Sequence, residues 1–164
     1  MMGAIVFAAA FSLTSPAFAN DGAIPARFTC DAGMTNPSPA LAWTDAPAGT
    51  KSFALILHDP DAPLAGGFTH WVLFDIPAAT TGLPENFQPG SVGMSGNSGF
   101  RRQGYGGPCP PSGVHHYHFM LAALDVAALG LPAGATKADV EKAMEGHVLG
   151  KTELVGTYQR QPKQ

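Results

Sequence analysis

Between Gly107 and Phe119 the chain reads GPCPPSGVHHYHF, a turn stiffened by Pro108, Pro110 and Pro111 that runs into three histidines and a tyrosine. Side chains alternate across a strand, so His115, Tyr117 and Phe119 would share one face, and His116, His118 and Met120 the other. The histidines then form two separate sets, and a strand is predicted from His115 to Leu124. Working outward, alternation and turn punctuation predict further strands at Phe11 to Ser15, Ala40 to Thr44, Ser52 to His58, Phe68 to Ile76 and Thr152 to Gln159. One helix is predicted after Thr136, where T-K-A-D makes a capping-box start and Val140, Ala143, Met144 and Val148 recur at helical spacing; Gly146 or Gly150 would end it. Many strands and one late helix predict an all-β protein, a β-sandwich of antiparallel strands with one or two small peripheral helices.

The 164 residues suit a single domain. With 20 glycines, 15 prolines and only 13% charged residues, the composition fits short elements joined by tight turns rather than a helical bundle. A net charge of -3 leaves no broad basic face, which argues against nucleic acid as a partner. No run of 18 apolar residues is present, so no transmembrane segment is expected.

Residues 1–10 read as a possible leader remnant, with 11–164 as the domain. Gly3 to Phe11 is apolar, and Ala8-Ala9-Ala10 and Ala17-Phe18-Ala19 are small-x-small triplets of the kind that precede cleavage. No Lys or Arg occurs before Arg27, but the doubled methionine is consistent with a start further upstream that would restore a basic segment. A periplasmic or secreted location is expected, with a cytoplasmic one as the alternative. Cys30 and Cys109 suit either one disulfide in an oxidising compartment or two separate buried thiols.

Three sets of residues could carry chemistry. His116 and His118, at i and i+2, could chelate zinc if a third ligand arrived from elsewhere, but the spacing equally describes half-exposed histidines on the solvent face of a strand. Ser95 in GMSG lacks the G-x-S-x-G frame of a nucleophile elbow, and a Cys109 thiolate beside His115 competes with a structural sulfur. The third set is HDPDAP, His58 to Pro63, at the end of an apolar strand. Taken alone it reads as a solvated Asx turn, but its acids are fixed by a proline-stiffened turn, and His70 at the start of the next strand could face them. Asp59 and Asp61 would then orient His70 and His115, whose imidazoles would donate to phosphate or carboxylate oxygens. Gly106 and Gly107 would let the backbone of the neighbouring loop approach a ligand closely.

HDPDAP, then FTHW, then GYGGPCPPSGVHHYHF, in that order and spacing, resemble the phosphatidylethanolamine-binding protein family, specifically its bacterial Raf-kinase-inhibitor-like members. The resemblance runs from Phe11 to the closing GHVLGKTELVGTY. It implies an antiparallel β-sandwich with a small, non-catalytic pocket for phosphate- or carboxylate-bearing ligands, including a phospholipid head group. Motif by motif, it implies pocket acids at Asp59 and Asp61, a turn shaped by Pro63, a first histidine at His70, a loop wall from Gly107 through Cys109 and Pro110 to Pro111, and a final histidine and tyrosine at His115 and Tyr117. This chain carries His116 where many relatives have arginine, and Phe68 where tryptophan is frequent. If the first strand starts at Phe11, cleavage near Ala10 suits the fold better than cleavage after Ala19, which would delete that strand. No cofactor or metal is implied. An inhibitor of a protease or kinase acting through a protein surface is the competing reading, a hydrolase or metalloenzyme a third, and a homodimer is possible by analogy with some bacterial relatives.

Overall fold

The computed structural model describes residues 3, 5 and 9–162. The leader reading of residues 1–10 falls largely outside that set. Among the described residues, eight strands and one α-helix follow in chain order: β1 Ser12–Thr14, β2 Leu41–Thr44, β3 Ser52–Asp59, β4 Phe68–Pro77, β5 Gly82–Leu83, β6 Met94–Ser95, β7 His115–Leu124, α1 Lys137–Met144 and β8 Val148–Tyr158. Two single-turn 3-10 helices, Ala26–Phe28 and Cys30–Ala32, lie between β1 and β2. All strand pairings between these elements are antiparallel, in a small sheet ordered β1-β2-β5 and a large one ordered β6-β4-β3-β7-β8. The predicted all-β class and six predicted strands are present; the two-residue strands β5 and β6 are too short to show any period.

The large sheet is covered on both sides, which explains why β3 and β4 read as nearly continuous apolar runs. On the inner face, Leu13, Trp43 and Leu83 of the small sheet pack with Phe53, Leu55, Trp71, Phe119 and Leu121. On the outer face, Val140 and Met144 of α1 pack with Ile56, Val72, Phe74, Ala122 and Leu124. Strand β7 records both environments. It alternates buried and more exposed residues from His115 to Met120, then is buried throughout from Leu121 to Leu124, where the outer face lies in the second cluster.

Helix α1 starts as its sequence predicts: the Thr136 side chain accepts from the Asp139 amide, and the Asp139 carboxylate accepts from the Thr136 amide. It ends at Met144, with Gly146 in the left-handed region just beyond (φ 79°). Cys30 and Cys109 are joined as a disulfide that spans 79 residues of chain, which decides between the two readings of the cysteines. No helix among the described residues is long and apolar enough to cross a membrane.

Candidate functional site

At one end of the sandwich a cavity of about 320 Å³ is lined by Asp59, Pro63, Leu64, Phe68, His70, Phe100, Cys109, Pro110, His115 and Tyr117, with Ala62 and Pro111 completing its wall. Four separate segments converge there, and each is placed by backbone geometry.

Strand β3 delivers Asp59 at its last position, on the same face as Leu55 and Leu57. The carboxylate is 2% exposed. Its Oδ1 accepts from the Asp61 amide at 2.8 Å, closing the turn, and its Oδ2 accepts from His115 Nδ1 at 2.7 Å. A carboxylate can only accept, so the Nδ1 proton is fixed and Nε2 of His115 is the nitrogen left to meet a ligand.

His70 reaches the cavity through a β-bulge. Leu57 pairs with Trp71 and His58 with Thr69, so His70 is an extra residue with no partner on β3. The bulge lets adjacent residues His70 and Trp71 both face the inner side, where strict alternation would send them to opposite faces. The imidazole, 4% exposed, donates from Nδ1 to the Gly106 carbonyl at 2.8 Å. Burial pushes the His70 imidazole below its ordinary value, partly opposed by the Gly106 carbonyl and the Asp59 charge. Neutral His70 therefore presents Nε2 as an acceptor, and becomes a donor there only when protonated.

Tyr117 lies between the two histidines, its ring centroid 5.3 Å from that of His70 and 6.5 Å from that of His115. Burial, and secondarily the Asp59 charge, push its phenol up, so the hydroxyl keeps its proton. That hydroxyl is buried and makes no hydrogen bond with any described residue. It belongs to a residue that lines the cavity, with the Asp59 carboxylate and the Cys109 backbone beside it.

The loop after β6 forms the remaining wall. Tyr105 donates its hydroxyl proton to the Phe28 carbonyl at 2.8 Å, the Cys30 amide donates to the Pro108 carbonyl at 3.0 Å, and the disulfide ties Cys109 to the same 3-10 turn. Because its sulfur is committed to Cys30, Cys109 holds no free thiolate for nucleophilic attack.

Three sequence assignments are corrected. Asp61 does not line the cavity; its carboxylate accepts from both the amide and Nδ1 of His116, at 2.8 and 2.7 Å, outside the pocket, and these bonds hold it below the usual carboxylate range. His70 is consequently oriented by a carbonyl and not by a second acid. Gly107 is not in the lining either. It is small because the wall packs closely on the 3-10 turn: a Cβ there would run into the Phe28 carbonyl and lie 2.5 Å from Asn36 Oδ1. Gly106 likewise makes room for the Phe100 ring and not for a ligand. His118 pairs with Glu153 at 2.7 Å, so His116 and His118 turn to different carboxylates on the face away from the pocket. Sequence reasoning missed Leu64 and Phe100, apolar residues in polar loops without any local pattern.

The family model of the phosphatidylethanolamine-binding protein matches residues 14–159. A protein of Methanothermobacter thermautotrophicus, named UPF0098 protein, is 51% identical over 155 residues, covering 91% of this chain and 99% of that one. Among solved structures, a Chlamydia trachomatis protein named as a phosphatidylethanolamine-binding protein homologue aligns with a TM-score of 0.84 at 35% identity, over 93% of this chain and 99% of that one. Escherichia coli YbcL, described as a member of the mammalian family of that name, aligns with a TM-score of 0.85 at 31% identity, over 93% and 100% of the two chains. With matched strands, shared fold and relatives along nearly the whole chain, this protein belongs to the phosphatidylethanolamine-binding protein family.

Proposed function

We propose that the cavity is a non-catalytic binding site for small phosphate- or carboxylate-bearing ligands, a phospholipid head group among them. One observation carries the reading: Nε2 of His70 and Nε2 of His115, both without hydrogen-bond partners among the described residues, and the hydroxyl of Tyr117 belong to side chains that line one cavity. An oxyanion can accept from the tyrosine and from a protonated imidazole, and a ligand P-OH or carboxyl O-H can donate to a neutral one. The buried Asp59 carboxylate keeps the site from being simply cationic, which favours ligands of low net charge. The family name points the same way.

Isothermal titration calorimetry with inorganic phosphate and phosphoethanolamine tests this. His70→Ala together with His115→Ala is expected to abolish binding of both while thermal melting stays cooperative. Unchanged binding would overturn the assignment of the pocket. A periplasmic or secreted location completes the proposal, supported by the disulfide, since such bonds persist in oxidising compartments. Fractionation of the native cell, with detection of the protein in the reducing cytosol alone, would refute it.

A further inference from the structure

We infer that Phe100 is the specificity-determining residue of this pocket, selecting ligands that carry an apolar substituent beside their anionic group over bare inorganic anions. The inference rests on the ligand class proposed above and names which members of it are preferred.

Phe100 and Leu64 stand at the cavity from two different loops, 41% and 58% exposed. An apolar side chain left in water is ordinary by itself. Phe100 differs in being held in place. Its ring meets Phe68 edge-on at 4.8 Å between centroids and His70 at 5.5 Å, and the Arg102 guanidinium lies 5.5 Å from its centroid. Gly106 leaves the space that the ring occupies. Its own loop is closed by the Arg101 amide to the Ser98 carbonyl and the Ser98 amide to the Arg102 carbonyl, both at 3.0 Å, with Arg101 in the left-handed region (φ 60°). A preorganised apolar surface binds without first paying to order itself.

The same ring packs beside His70, whose Nε2 is one of the proposed head contacts. A ligand whose oxyanion reaches His70 and Tyr117 therefore has its next few atoms beside Phe100, in the cavity that Leu64 also lines. An alkyl group there would bury apolar surface on both. A hydrogen or a bare oxygen would bury none. The arrangement points to monoalkyl phosphates, or the equivalent carboxylates, as the preferred chemistry.

The test compares butyl phosphate with inorganic phosphate by calorimetry on the full chain, for the wild type, Phe100→Ala and Phe100→Leu. The wild type is expected to bind butyl phosphate more tightly. Phe100→Ala should reduce the ratio of butyl phosphate to inorganic phosphate affinity by about tenfold, and Phe100→Leu should retain most of the preference. If the wild type binds both probes and Phe100→Ala keeps the wild-type ratio, the role of Phe100 is overturned while the ligand site stands. If the wild type binds neither probe, the ligand class itself falls and this preference falls with it. Thermal melting of each variant separates a lost contact from a lost fold.

Discussion

Asp59 and His115 are 56 residues apart in the chain, yet the carboxylate of one accepts from Nδ1 of the other at 2.7 Å, both side chains being buried. The pair joins the end of β3 to the start of β7 and decides which imidazole nitrogen is left for a ligand. Asp59→Asn keeps the size of the side chain and removes its charge. A charge-assisted hydrogen bond contributes about 1.5–3 kcal/mol, so the fold should lose stability of that order. Chemical denaturation measures it; a midpoint equal to the wild type's would show that the charge is dispensable.

Stability should depend on pH through buried His70 and partly buried His58. Burial is the main reason that both His70 and His58 lie below the ordinary value of 6.5. The unfolded chain then binds protons that the folded chain resists. Their contribution to stability is fully present above the unfolded value and is lost as pH falls below it. The melting temperature of the ligand-free protein should therefore drop as pH falls below about 6.5. His70→Gln should flatten part of that dependence and leave the part due to His58; a slope identical to the wild type's would remove His70 from the account.

Affinity for a phosphate ligand should run the opposite way, weakening as pH rises through the histidine range, because an ionised oxyanion is held better by a protonated His70. Calorimetric titrations from pH 5 to 8 check this, and a flat profile would count against His70 as a charged ligand contact.

The disulfide closes a loop of 79 residues between the pocket wall and the Cys30–Ala32 turn. Chain entropy alone assigns such a crosslink about 4.5 kcal/mol of stability. Chemical denaturation with and without dithiothreitol should show a loss of that order. Reduction should also weaken phosphate binding, since Cys109 and Pro110 line the cavity. Equal midpoints in the two conditions would show that the crosslink contributes nothing.

Gly107→Ala would force a Cβ against the Phe28 carbonyl, a backbone atom that cannot turn aside. A cost of about 1–3 kcal/mol is expected, as for other overpacked sites. A mutant as stable as the wild type would mean that the wall has room to move.

Local periodicity was enough to divide the histidines of β7 and to place the capped helix, because strand alternation and helical spacing are properties of a few consecutive residues. On those grounds the sequence separates His115 and Tyr117 from His116 and His118 before any fold is known. The strand order, His70 at a bulge, the turn of Asp61 toward His116, the Cys30–Cys109 pairing and the arrival of Phe100 are different in kind. Each depends on which distant segment lies alongside: β3 against β4 sets the bulge, and the wall against the 3-10 turn requires a glycine at 107. The sequence by itself determined the class of fold and the faces of its strands. Only the tertiary structure decided which polar atoms meet, because hydrogen bonds between segments tens of residues apart have no signature in the order of neighbours.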